Sequence, residues 1–135
     1  MPKGFSRRAF VYRGEVRGKQ RPRITFRGEK PHAYTPKATK EFEEGIRQAY
    51  LQRHHRKEPI DADVPLRLRV VAYVPESKVL SRPDVDNILK AVMDALSGVA
   101  YADDKQIVSA TVEKVVGKEE RLEISLGAAS VGREV

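Results

Sequence analysis

The stretch from Leu66 to Val74 has an apolar side chain at every second position, and this pattern constrains the fold more than any other part of the sequence. A two-residue period is typical of a strand with one face against a hydrophobic core. We therefore predict a central strand here, covered by helices on that face. The inward positions are Leu66, Leu68, Val70, Ala72 and Val74.

Two other segments repeat their apolar residues at three- and four-residue intervals, which is the period of an α-helix. The first predicted helix begins after Thr35 as cap, with Pro36 at its first position, and runs to about Arg53. The second runs from Val85 to Leu96. The apolar faces are Ala38, Phe42, Ile46, Ala49 and Tyr50 in the first, and Val85, Ile88, Leu89, Val92, Ala95 and Leu96 in the second.

Four further strands are predicted at residues 9–13, 24–27, 107–116 and 120–126. A chain of 135 residues is long enough for one domain with a core and too short for two. We predict an α/β (α+β) fold in which a mixed β-sheet carries two main helices on one face. The domain should span residues 1–127, and residues 128–135 should form a flexible tail.

Acidic residues surround the second helix in an otherwise basic protein. Asp84 and Asp86 lie at its start, Lys90 follows one turn after Asp86, and Asp103 and Asp104 come in the loop beyond it. Carboxylate oxygens suit Mg²⁺ or Mn²⁺, and the absence of cysteine excludes a thiolate site. This pattern favours a metal-dependent phosphodiesterase, although helix caps and a solvated ladder of Asp86, Lys90 and Asp94 would give the same spacing.

The formal net charge of +7 is concentrated near the start of the chain. Residues 1–40 contain twelve Lys and Arg against two Glu, which favours a polyanionic partner such as DNA. The alternative is a basic surface that keeps the protein soluble or protects a sheet edge. The candidate DNA contacts are Lys19, Arg21, Arg23, Arg27, Lys78 and Arg82.

Other features limit the remaining possibilities. His54 and His55, flanked by Arg53 and Arg56, are interpreted as a solvated helix end and not as metal ligands. No stretch is long and apolar enough to span a membrane, and the first residues lack the hydrophobic segment of a signal peptide. With no cysteine, we expect a soluble intracellular protein of the cytoplasm.

The run RPDVDNILKAVMDALSGVAYADDKQI resembles the signature of the RusA family of Holliday junction resolvases, small dimeric endonucleases often carried by prophages. Upstream, GKQRPRITFRG and AYTPKATKEFEE are similar to the basic strand pair and first helix of that family. The resemblance covers about residues 10 to 125. It implies a mixed α/β domain that forms a homodimer and nicks four-way DNA junctions symmetrically, with Mg²⁺ as cofactor.

The resemblance also implies roles for individual residues. The D-x-D-N-x-x-K element of the family falls on Asp84, Asp86, Asn87 and Lys90. The third essential carboxylate corresponds best to Asp104, with Asp103 as a competitor. The implied catalytic set is thus Asp84, Asp86, Lys90 and Asp104, and the implied metal ligands are Asp84, Asp86, Asp104 and Asp103.

Three functional hypotheses follow. The first is a Mg²⁺-dependent endonuclease that resolves four-way junctions in DNA recombination and repair, encoded by a bacterium or a phage. The second is a non-catalytic, basic nucleic-acid-binding protein, in which the aspartates are caps and ion-pair partners. The third is a nuclease for flaps or other branched DNA.

Overall fold

The computed structural model describes residues 6–20, 23–34 and 36–135, without the side chains of Arg23 and Arg27. Thr35 and Arg21, for which a helix cap and a DNA contact are predicted, lie outside the described residues. The elements in chain order are β1 (Arg8–Arg13), β2 (Arg23–Arg27), β3 (Lys30–Tyr34), α1 (Lys37–His54), β4 (Leu66–Val74), α2 (Val85–Leu96), β5 (Ile107–Val116) and β6 (Arg121–Ala128).

A mixed four-stranded sheet has the order β1-β6-β4-β5. Strand β4 is parallel to β5 and antiparallel to β6, so its predicted central position is confirmed. Because parallel neighbours cannot be joined by a tight turn, the connection from β4 to β5 crosses over and carries α2. Strands β5 and β6 follow one another in sequence but lie on opposite sides of β4.

The core lies between this sheet and the two helices. Phe42, Ile46 and Tyr50 of α1 and Ile88 and Val92 of α2 are fully buried. They belong to the same cluster as all five inward residues of β4, which confirms the mixed sheet with two covering helices. The alternation at the start of β4 leaves Arg67 and Arg69 exposed on the other face.

The structure corrects three local interpretations. Strand β3 was not predicted; it pairs with β2 in a separate two-stranded sheet. Helix α1 begins at Lys37, one residue after Pro36. His54 is buried, because its ring packs against Tyr50 and its Nε2 lies 3.0 Å from the main-chain oxygen of Ala9.

The C-terminal residues agree in part with the predicted tail at 128–135. Strand β6 extends to Ala128, and the amide of Ala129 donates to the Pro65 carbonyl at 2.9 Å. Residues 131–135 are exposed and have no regular secondary structure. Flexibility of residues 128–135 stays a prediction. Within the described ranges, no helix has both the length and the apolar character needed to cross a membrane.

Candidate active site

Asp84 and Asp86 lie at the N-terminal end of α2. Asp84 is the residue before the helix, and its main-chain oxygen accepts from the amides of Asn87 and Ile88, both at 3.1 Å. Its side chain makes no capping hydrogen bond, so the cap interpretation does not account for this carboxylate. Both aspartates are exposed. Two acidic side chains therefore face solvent where the helix dipole favours negative charge.

These two aspartates line a cleft of about 1110 Å³. One wall is the extended segment 15–20 after β1, and the other is the start of α2 with the loop before it. The cleft thus places an acidic pair opposite basic side chains. Its lining residues are Glu15, Val16, Arg17, Gly18, Lys19, Gln20, Ala38, Lys78, Arg82, Pro83, Asp84, Asp86 and Asn87.

Gly18 lets the two walls approach closely at the base of the cleft. A Cβ atom on this residue would lie 2.8 Å from Cβ of Pro83 and 2.9 Å from Cβ of Asn87. The next residue donates its amide to the Asn87 carbonyl at 2.9 Å. Glycine is therefore required here by the space available, and this contact positions the start of α2 against the N-terminal segment.

The Lys19 ammonium connects both helices. Its Nζ lies 2.9 Å from a carboxylate oxygen of Glu43 in α1 and 3.0 Å from one of Asp94 in α2. Burial lowers the pKa of Lys19, but these two partners outweigh it and raise the pKa above its ordinary value. Asp94 thus has a partner outside α2, which corrects the interpretation of Asp86, Lys90 and Asp94 as a simple solvated ladder.

Asp103 stabilises the turn before β5. Its carboxylate accepts from the amide of Lys105 at 2.9 Å. The Gln106 side-chain oxygen accepts in return from the Asp103 amide at 3.1 Å, and its nitrogen donates to the Asp61 carbonyl at 2.7 Å. This reciprocal pattern is a capping box on the short 3₁₀ turn Asp104–Gln106. Asp103 consequently has a structural role as a cap.

Asp104 has different surroundings. Its Oδ1 lies 2.9 Å from the hydroxyl of the buried Tyr101, which is also 2.8 Å from the Met93 carbonyl. Burial raises the pKa of the Asp104 carboxyl; the Tyr101 hydrogen bond opposes this, and the charges of Asp94 and Asp103 add to it. Burial and the bond to Asp104 also raise the pKa of Tyr101 well above its ordinary value. The two residues of the second acidic pair therefore have different roles. Asp103 caps a turn, whereas Asp104 is a partly buried carboxylate oriented by Tyr101.

Two lysines fix the loop that leads into α2. Lys78 Nζ donates to Glu120 Oε1 and to the Val16 carbonyl, both at 2.7 Å. Burial favours the neutral form of Glu120, but the Lys78 partner and the Val16 amide outweigh it and lower the pKa of this carboxyl. Lys114 Nζ donates to three main-chain oxygens, those of Lys78 at 3.2 Å, Val79 at 3.3 Å and Ser81 at 2.6 Å. The loop is thus attached to β5 and to the segment before β6.

The remaining predicted site residues are placed as follows. Lys90 and Arg82 are exposed, and Arg82 lines the cleft. The side chains of Arg23 and Arg27 are outside the described part of the chain. Lys19 and Lys78 also line the cleft, but their ammonium groups have acidic partners within the protein. Contact of these residues with DNA stays a prediction.

A divalent metal fits the chemistry of this region, since the available donors are carboxylate oxygens and there are no thiols. In the described residues, no group of three or more Asp, Glu or His side chains lies close enough together to hold a metal ion. Asp84 and Asp86 share the cleft, whereas Asp103 and Asp104 are not among its lining residues. The assignment of metal ligands therefore stays a prediction.

Sequence reasoning missed Gly18, Tyr101 and Lys114. Only Ala102 separates Tyr101 from Asp103, and this closeness in sequence hints at an aromatic partner for the acidic pair. The partners of Gly18 and Lys114 are far away in the chain, and no local signal indicates them. These three residues act by positioning the acidic side chains and the loop before them.

A family model described as endodeoxyribonuclease RusA matches residues 13–127, which include both acidic pairs and both walls of the cleft. The chain belongs to the RusA family. One similar protein is the uncharacterized protein YqaN of Bacillus subtilis (strain 168), 32% identical over 139 aligned residues, which cover 90% of this chain and 96% of that protein. Another RusA relative, the crossover junction endodeoxyribonuclease rusA of Lactococcus phage r1t, is 33% identical over 87 residues, covering 58% of this chain and 66% of that protein.

Proposed function

We propose that this protein is a divalent-metal-dependent endodeoxyribonuclease that resolves four-way DNA junctions in recombination and repair. The observation that carries the proposal is the pair Asp84 and Asp86, both exposed in a cleft and with no capping bond from the Asp84 side chain, within a chain of the RusA family. The relative from Lactococcus phage r1t supports the same activity through its name.

Asp84, Asp86 and Asp104 are proposed to hold Mg²⁺, with Mn²⁺ as a substitute. The metal, when bound, would activate water and stabilise negative charge on the phosphate. Between the two acidic residues nearest Tyr101, we assign the ligand role to Asp104, because Asp103 already caps the turn before β5. Asp103 would contribute charge beside the site.

The other side chains of the site have distinct proposed tasks. Lys90, exposed one turn after Asp86, would stabilise negative charge that develops on the phosphate. Arg82 would bind a DNA phosphate at the cleft. Lys19 and Lys78 would mainly hold the cleft walls in place, since each has an acidic partner at 3.0 Å or less.

A symmetric homodimer would present two such sites to a branched substrate of matching symmetry. This assembly is proposed from the family resemblance and from the need for two nicks per junction. Sedimentation velocity of the purified protein, with and without junction DNA, would measure its mass. A complex with one chain per junction, or a free protein with the mass of one chain, would contradict the dimer.

A substrate panel tests the proposed function. The protein is incubated with labelled four-way junction, flap and linear duplex of related sequence, in Mg²⁺ or in EDTA. We expect paired nicks on the junction in Mg²⁺ and none in EDTA. Cleavage of flaps in preference to junctions would assign a different branched substrate, and binding without cleavage under all metal conditions would leave a non-catalytic DNA-binding protein.

A further inference from the structure

The hairpin of β2 and β3 has one apolar face that no other described part of the protein covers. Among the described strands these two pair only with each other, with Ile24 opposite Ala33 and Phe26 opposite Pro31. Because directly opposed residues share a face, these four side chains lie together. Ile24 is 66% exposed and Phe26 is 67% exposed. Apolar side chains are rarely presented in this way without a partner.

This hairpin is attached at the rim of the cleft that contains Asp84 and Asp86. Lys19 and Gln20 before the hairpin and Ala38 after it all line that cleft. The Gln20 amide is 3.2 Å from the Thr39 hydroxyl, which ties the N-terminal side of the hairpin to the start of α1. The hairpin therefore projects from the place where a substrate of the acidic pair would lie.

The charge of this region identifies the class of partner. Residues 19–40 contain seven Lys or Arg and one Glu. Two copies of so basic a segment would repel each other face to face, which disfavours a second hairpin as the cover. A polyanion is attracted by the same charge. The partner must combine negative charge with an apolar surface.

DNA with unstacked bases has both properties, because its phosphates carry the negative charge and the exposed base faces are apolar. Base faces are apolar and are hidden in a continuous duplex, whereas a branch point interrupts stacking. Aromatic side chains stack on exposed bases without regard to sequence, and apolar side chains inserted at a base step help to unstack it. At about 3.4 Å per residue, five-residue strands reach about 17 Å from the rim, enough to enter an open branch point.

We propose that the Ile24 and Phe26 face of the hairpin stacks on unstacked bases at the branch point and so distinguishes branched from linear DNA. This inference rests on the proposed function and adds the element that recognises branching. The hairpin is the recognition element, and the cleft beside it contains the acidic residues.

Equilibrium binding in EDTA tests the inference without cleavage. Phe26→Ala and Ile24→Ala are compared with the natural protein and with Val116→Ala, which removes part of a side chain that is 57% exposed on β5. Each is titrated with a four-way junction that carries 2-aminopurine beside the branch, and with linear duplex. We expect Phe26→Ala to weaken junction binding by about tenfold or more, the size of one lost stacking contact. Duplex binding should change by less than twofold.

The fluorescence and the mass of the protein separate the other outcomes. The natural protein should raise the 2-aminopurine signal, and Phe26→Ala should reduce that rise. Equal junction binding by both proteins would overturn the inference while leaving junction cleavage, and thus the proposed function, intact. A smaller particle for Phe26→Ala in sedimentation velocity would instead show that a second copy covers this face. If the natural protein shows no preference for junction over duplex in binding or cleavage, the proposed function fails as well.

Discussion

The Tyr101 hydroxyl lies 2.9 Å from Oδ1 of Asp104, and Tyr101 is fully buried beneath that carboxylate. The hydroxyl has one hydrogen and faces two acceptors, since the Met93 carbonyl is 2.8 Å away. A rigid aromatic ring in the core thus limits where the Asp104 side chain can point. Tyr101 is a positioning residue for the carboxylate that we assign to the metal.

We predict that Tyr101→Phe lowers the rate of junction cleavage about tenfold and destabilises the fold by about 1 kcal/mol, the usual net value of one hydrogen bond. The cleavage rate should fall because Asp104 loses its orienting partner. Steady-state cleavage across a range of Mg²⁺ concentrations measures the effect, and the half-saturating concentration should rise. Tyr73→Phe is the control, because the Tyr73 hydroxyl bonds Glu123 at 3.0 Å on the other face of the sheet. A similar loss of cleavage in both variants would contradict the positioning role.

The division between Asp103 and Asp104 gives a second prediction. Asp104→Asn should abolish cleavage, because it replaces a metal ligand. Asp103→Asn should retain at least a third of the cleavage rate, since asparagine also caps helical turns well. Single-turnover cleavage of the four-way junction measures both. Reversed effects of the two substitutions would transfer the ligand role to Asp103.

The third prediction concerns the contact between Gly18 and the start of α2. Gly18→Ala should destabilise the protein by about 1–3 kcal/mol, because the added methyl group overlaps Pro83 and Asn87. The rate of junction cleavage should also decrease, because relief of this overlap would displace the start of α2 and with it Asp84 and Asp86. Urea unfolding and junction cleavage measure the two effects. Gly127→Ala is the control, as its added Cβ meets no atom of the described residues within 4 Å. An equally harmless Gly18→Ala would count against the close contact.

The length of each regular pattern explains how much of the fold could be predicted. Strand β4 and helix α2 have the predicted bounds because their apolar residues recur at the period of a strand and of a helix, and β5 has them because it is rich in β-branched residues. Strand β3 was missed because it has five residues and includes Pro31, which is unfavourable in most strands. The order of strands around β4 depends on packing across the whole chain, and no local pattern contains it.

The candidate site was predictable to a similar extent. The acidic motif is local in sequence, so Asp84, Asp86 and the later pair could be found without a structure. Lys19 pairs with Glu43, 24 positions later in the chain, and with Asp94, 75 positions later, so no local pattern indicates these ion pairs. Charge alone indicated DNA for Lys19, because an exposed cation and an internally paired cation look the same in a sequence.

Attachment of the loop before α2 leads to a fourth prediction. Lys114→Met should expose the loop, because three carbonyl oxygens lose their shared donor. Trypsin should then cut after Lys78 several times faster than in the natural protein, and cleavage of junction DNA should decrease. Lys118→Met, at an exposed position in the turn before β6, is the control. Unchanged proteolysis of the loop in Lys114→Met would argue against this attachment.

His54 gives a prediction about pH. Burial lowers the pKa of His54 below its ordinary value of 6.5, although its bond to the Ala9 carbonyl opposes part of this effect. The unfolded chain therefore binds this proton more readily than the folded protein. The contribution to stability is fully present above about pH 6.5 and is lost as the pH falls toward the lower pKa of the folded state.

We expect His54→Gln to have a free energy of unfolding that depends less on pH between about 7.5 and 5 than that of the natural protein. Urea unfolding at several pH values measures this difference. His55→Gln, which changes the exposed neighbouring residue, should keep the natural pH dependence. The same slope in all three proteins would show that His54 does not couple protonation to folding.

The most direct test of the account is a comparison of Asp86→Asn with the natural protein, measuring binding and cleavage on the same four-way junction in Mg²⁺. We predict that the substitution abolishes cleavage and leaves binding unchanged or tighter, because it removes a metal ligand and also a negative charge that faces DNA. Cleavage at the natural rate by Asp86→Asn would contradict the account. Loss of binding together with cleavage would contradict it too, since Asp86 would then be needed for the structure of the cleft and not for its chemistry.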